Sequence, residues 1–186
     1  AYNAALRMAE EKLFIGQQVS GQYFFQPDTP VSRSEFLALA MEAAGVDPLE
    51  GITTTGFFDD EAIPTWAKGY AASALKEGMI QGRISETGDI VFSADSQITR
   101  AEAAVILNQV LEVSDLAAQS DYADLDTVPT WAYQAAVNLE TVGVLNTDTA
   151  GALALEETVN RGEAAQMLCA AMDVLEARQE KGWLNW

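Results

Sequence analysis

Three short stretches carry the most pointed chemistry in the chain: Ser32-Arg33-Ser34-Glu35, Thr99-Arg100-Ala101-Glu102 and Asn160-Arg161-Gly162-Glu163. In each, a Ser, Thr or Asn precedes an arginine and is followed three residues on by a glutamate. The outer residues have a local explanation. Ser32, Thr99 and Asn160 suit a helix N-cap, and Glu35, Glu102 and Glu163 stand where a capping-box carboxylate reaches back to the cap. The arginines are not explained by capping. In a first turn each faces the positive end of the helix dipole, at a cost of a few tenths to about 1 kcal/mol. Two arrangements would offset it. A helix start with free N–H groups, joined by a guanidinium fork, is an anion site for carboxylate or phosphate. A charge-assisted hydrogen bond there contributes roughly 1.5–3 kcal/mol. Alternatively, each arginine pairs with one of the many carboxylates of a neighbouring unit. The residues by themselves favour neither reading.

Four further residues are candidates. Trp66 and Trp131 each follow Pro-Thr, and could offer an aromatic face to a sugar ring or anchor the core between units. Asp59 and Asp124 precede them. Their first expected task is to fix a loop through backbone N–H groups, with contact to a ligand hydroxyl second. Lys68 and Arg83 are among the few other cations near these elements, and a solvated face suits them better than a groove.

Composition removes several classes of function. The 186-residue chain has 28 acidic and ten basic residues, no histidine and a formal net charge of −18. Nucleic acid and anionic membranes need basic surface, so neither is expected as a partner. Histidine-dependent metal sites and catalytic triads are excluded. The lone Cys169 lies in an apolar helical run and is expected to be a buried, inert thiol. The acidic clusters FFDDEAIP and DYADLDT lack the glycine and terminal glutamate spacing of a calcium-binding EF-hand loop. With so many carboxylates, chance pairs do not mark a glycosidase. No catalytic residues, metal or cofactor are therefore expected. No apolar run approaches the roughly 20 residues that span a bilayer. The opening AYNAALRMAEEKLF reads as the interior of a helix, so a fragment or mature form of a longer protein is expected.

The elements that must position these residues repeat three times. FFQPDTPVSRSEFLALAMEAAGV (24–46), VFSADSQITRAEAAVILNQVLEV (91–113) and ALALEETVNRGEAAQMLCAAMDV (152–174) align with Phe25, Phe92 and Leu153 in register, and with the three arginines in register. A second element aligns without a gap: FFDDEAIPTWAKGYAASALKEGMIQG (57–82) with YADLDTVPTWAYQAAVNLETVGVLNT (122–147). Pro-Thr-Trp predicts a helix start with Thr65 and Thr130 as caps. Each unit is then helix, loop, helix. One such pair cannot bury its apolar stripes, whereas three stacked pairs can. The expectation is one all-α domain over 1–186, with repeats at 1–46 (short at its N-terminus), 57–113 and 121–178.

With these residues in view, the chain resembles the S-layer homology family over roughly residues 2–178. An aromatic-x-Asp element precedes a Trp-Ala helix. A glycine-ended helix, a loop and an Ile-Thr-Arg-Ala-Glu-like helix start follow, unaltered at Thr99–Glu102 and looser at Ser32–Glu35 and Asn160–Glu163. The resemblance implies a pseudo-threefold, three-pronged domain whose inter-repeat grooves hold an anionic secondary cell-wall polysaccharide, in many members bearing ketal-linked pyruvate, or a peptidoglycan-linked glycan. It implies glycan contact by Arg33, Arg100 and Arg161 and acidic residues such as Asp59 and Asp124 near the groove, with Trp66 and Trp131 the aromatic candidates for glycan contact. It tips the arginine question toward ligand contact, above all at Arg33 and Arg100. The implied role is a non-catalytic anchor on the surface of a Gram-positive bacterium, attached to further domains. The rival role is a structural or self-associating spacer without glycan affinity, in which protein carboxylates would satisfy the arginines.

Overall fold

The computed structural model describes residues 1–13, 17–19, 22–117 and 121–183. Six helices run through it: α1 (Tyr2–Glu10), α2 (Arg33–Ala43), α3 (Thr65–Lys76), α4 (Arg100–Val110), α5 (Thr130–Thr141) and α6 (Arg161–Trp183). Short antiparallel hairpins fill two of the connections, β1 (Gln17–Val19) with β2 (Gln22–Phe24) and β3 (Arg83–Ile84) with β4 (Ile90–Val91). The chain is about half helical, in keeping with the expected helical repeats, and the short hairpins make it not plainly all-α. The turn residues SETGD close a β-hairpin: Ser85 N–H donates to Asp89 O at 2.9 Å. The third connection is shorter and closes with a bond of its own, Asp148 N–H to Ala152 O, without forming a strand.

At the centre, three equivalent segments close a ring. Val31 N–H donates to Val159 O (3.0 Å), Val159 N–H to Ile98 O (2.9 Å) and Ile98 N–H to Val31 O (3.0 Å). All three side chains are fully buried. A second tier runs the opposite way round. Arg33 N–H donates to Ser96 O, Arg100 N–H to Glu157 O and Arg161 N–H to Thr29 O, at 2.8–2.9 Å. A third tier takes the N–H groups of Ser34, Ala101 and Gly162 to the carbonyls of Ala94, Leu155 and Pro27. Buried backbone must be paired, and here each repeat satisfies the next.

The helices follow the same order. α2 packs on α3, α4 on α5 and α6 on α1, so each motif helix docks against the following unit. The intervening linkers are pinned from inside. The buried Ser73 hydroxyl accepts Leu49 N–H at 2.8 Å, and at the matching place Asn138, wholly buried, accepts Leu116 N–H at 2.9 Å. Ion pairs from Arg7 to Asp173 and Glu176 tie α1 to α6. One continuous core results, with Phe36, Phe92, Leu107, Leu139 and Leu153 among its fully buried side chains.

α3 and α5 begin differently from the sequence expectation. Their caps are Pro64 and Pro129, with Thr65 and Thr130 already inside the helix and no side-chain cap bond. The proline ring sets the entry dihedral by itself, so a hydroxyl cap is not needed.

Candidate functional site

The capping boxes are complete at two helix starts. Ser32 Oγ accepts Glu35 N–H while Glu35 accepts Ser32 N–H, and Thr99 and Glu102 do the same. At the third, Asn160 Oδ1 accepts Glu163 N–H at 2.9 Å, and the Glu163 carboxylate turns to Arg100. The first N–H groups of each motif helix are therefore spent on caps and on carbonyls of a neighbouring repeat. The expected anion site at a free helix N-terminus is not there. What remains to meet a ligand is the arginine side chains.

Each arginine reaches across a repeat boundary. Arg33 Nε donates to Phe92 O at 2.8 Å, its guanidinium lies 5.4 Å from the Phe92 ring centroid, and Nη1 meets Glu102 at 2.8 Å. Arg100 Nε donates to Leu153 O at 2.9 Å, Nη1 pairs with Glu163, and Nη2 donates to Asn146 O. Arg161 makes a looser version, with Nη1 3.4 Å from Phe25 O and 3.3 Å from Gln26 Oε1, and its buried Nε has no partner among the described residues. Burial holds Arg33 and Arg100 below the ordinary arginine range, against the pull of nearby carboxylates. Both still carry charge at neutral pH.

The aromatic-x-Asp element explains the turn these arginines grip. Asp59 accepts Phe92 N–H and Ser93 N–H, both at 2.7 Å, and Asp124 accepts Leu153 N–H and Ala154 N–H, both at 2.9 Å. Ser93, Ala154 and Gln26 occupy the same place in the three repeats, and all are left-handed, with φ of 57°, 51° and 48°. The arginine holds the carbonyl on one side of this turn and the aspartate holds the N–H groups. Both oxygens of Asp59 and of Asp124 are engaged in this way. These carboxylates hold a loop and line neither groove described below.

Among the described residues, two grooves on repeat boundaries stand out. The first, about 650 Å³, has Arg33, Arg83, Glu102, Ile84, Gln109 and Trp131 among its walls. Arg83 holds Glu102 in a fork, with Nε and Nη2 each 2.6 Å from one carboxylate oxygen, and donates from Nη1 to Ser96 Oγ. Glu102 titrates below the ordinary carboxylate range. Burial pushes it up, but the Arg83 hydrogen bond, the Arg33 charge and the Thr99 N–H together pull it down further. A solvated face is the expectation for Arg83, but it forms part of this wall. Gly82, at φ +82°, lets the strand pass, because a Cβ there would sit 2.8 Å from Phe57 and Ile90. The second groove, about 390 Å³, has Arg100 and Glu163 with Asp28, Asp148, Glu157 and Asn160.

Trp66 and Trp131 are 53 % and 61 % exposed, so neither is a core anchor. Trp131 lies on the first groove with Arg33, whereas Trp66 lines neither. Lys68 bonds Asp60 and Thr53 O, bracing the turn before α3. Its hydrogen bond draws Asp60 down to about 2. Cys169 is buried and unpaired, and burial pushes its thiol up.

No protein-family model matches the chain. It is similar to part of Exoglucanase XynX of Acetivibrio thermocellus, 38% identical over 93 residues, which is 48% of this chain and 8% of that protein. It is 36% identical over 92 residues to Amylopullulanase of Thermoanaerobacterium thermosulfurigenes, 48% of this chain and 5% of the enzyme. It is 25% identical over 158 residues to Cell surface glycoprotein 1 of Acetivibrio thermocellus, 80% of this chain and 7% of that protein. The matched segments are thus a small part of each much longer relative. No helix among the described residues is long and apolar enough to cross a membrane.

Proposed function

We propose that the chain is a non-catalytic anchoring module of a bacterial surface protein, of the S-layer homology type, which holds an anionic cell-wall polysaccharide in an inter-repeat groove. The observation that carries this reading is the first groove, where the Arg33 and Arg83 guanidiniums and the exposed face of Trp131 meet at one repeat boundary. Guanidinium forks suit carboxylate-bearing ligands, and an exposed indole suits the apolar face of a sugar ring. The three-tier backbone ring supports a three-repeat, pseudo-threefold domain with repeats at 1–46, 57–113 and 121–178. Two relatives are named as polysaccharide-degrading enzymes and one as a cell surface glycoprotein, and the shared segment is a small fraction of each. An accessory role in holding such proteins to the envelope of a Gram-positive bacterium fits all three.

A specific observation favours the spacer reading at the second groove. Arg100 is saturated there by Glu163, Leu153 O and Asn146 O. The glycan contacts are accordingly assigned to Arg33 and Trp131. Co-sedimentation of the protein with purified Gram-positive sacculi tests the reading. Retention on native sacculi and release from sacculi stripped of secondary polymer is the expected result. Equal retention on both, or none on either, contradicts it.

A further inference from the structure

The two grooves are built on equivalent backbone yet carry opposite charge. The first holds two arginines against one glutamate. The second sets Arg100 against Asp28, Asp148, Glu157 and Glu163. The switch lies at one structural position, the start of the connection after the unit's first helix, where the second repeat has Arg83 and the third has Asp148. Their local roles differ as well. Arg83 clamps Glu102 with two nitrogens, whereas Asp148 folds back on its own turn, accepting Ala150 and Ala152 N–H.

The arginines respond to this difference. In the second groove all three Arg100 nitrogens are spent on protein acceptors. In the first, Arg33 is 5 % exposed, with Nε on Phe92 O and Nη1 on Glu102, and Nη2 has no partner among the described residues. A guanidinium on a groove wall with a donor that the protein does not use is available to an acceptor. Glu102 does not cancel its charge, because Arg83 already balances that carboxylate. On a chain of net charge −18, a local positive surplus of this kind is needed to hold an acidic ligand at all.

Resting on the anchoring proposed above, we infer that the module takes a carboxylate-bearing glycan at the Arg33 groove and not at the Arg100 groove, and that Arg83 sets this selectivity by neutralising Glu102. Arg33 Nη2 is the contact and Arg83 a positioning residue. The second groove rejects the same ligand because its four carboxylates outweigh Arg100.

The test is calorimetric titration with a pyruvylated methyl glycoside and with its carboxyl methyl ester, on wild type, R83Q, R83K and R100K. Wild type is expected to bind the acid about tenfold or more tighter than the ester. R83Q is expected to lose the preference for acid over ester while its thermal unfolding stays cooperative. R83K should keep part of the preference and R100K all of it. A purely structural role for Arg83 would weaken acid and ester alike and leave their ratio unchanged, which overturns the inference. A preference lost in R100K and kept in R83Q also overturns it and leaves anchoring intact. No wild-type binding to either probe, together with no retention on sacculi, overturns both.

Discussion

The three motif arginines hold one sequence position and three energetic situations. Arg100 spends its whole guanidinium on the protein, Arg33 spends most of it, and Arg161 makes only two long contacts. Breaking a buried pair leaves its partner charge stranded, so Arg100→Ala is expected to cost about 3 kcal/mol in urea unfolding. Arg161→Ala, with a donor already unsatisfied, should cost under about 1 kcal/mol. Equal losses would show that the hydrogen-bond geometry does not govern these sites. Glu102 sets a pH dependence. Its folded carboxyl titrates below its unfolded value of about 4.3. Its stabilisation is therefore complete above about pH 5 and fades as pH falls through the unfolded and then the folded value. Glu102→Gln should flatten the acid limb of a stability–pH curve, and an unchanged limb would contradict the pairing. Which carbonyl each arginine grips could not be read from the chain. Phe92 and Leu153 lie more than fifty residues from their arginines, and only the folded ring brings them within reach.

At the scale of elements, local patterns were legible and tertiary ones were not. The capping boxes at Ser32 and Thr99 could be read directly, because both halves of the reciprocal bond lie within four residues. The hairpins were missed because strands of two or three residues carry no periodicity. The left-handed turn was missed because its residues, Gln26, Ser93 and Ala154, are not glycine. Its dihedral is imposed by an arginine on one side and, in two repeats, by an aspartate on the other. That account makes a paired prediction. Asp124→Ala should cost about 2 kcal/mol by stranding the Leu153 and Ala154 N–H groups. Ala154→Gly should stabilise by up to about 1 kcal/mol, since glycine meets φ 51° without a Cβ penalty. Paired denaturation curves check both, and destabilisation by the glycine would refute the strain.

For the whole molecule, the repeat alignment made three equivalent units readable, and the ring of Val31, Ile98 and Val159 makes each unit depend on the other two. Groove charge was less legible, since it depends on which of 28 acidic side chains the fold brings to each boundary. A net charge of −18 also repels itself. Added salt to about 0.15 M is expected to raise Tm by screening that repulsion over a Debye length near 8 Å. A fall in Tm would mean that the ion pairs outweigh it. The most direct test of the anchoring site is retention of Trp131→Ala on native sacculi, beside wild type and Trp66→Ala. Trp131 is 61 % exposed and outside the core, so its loss should leave thermal unfolding unchanged. The account predicts that Trp131→Ala loses most of its retention while Trp66→Ala keeps it. Full retention of a folded Trp131→Ala protein would contradict the assignment of the glycan to this groove.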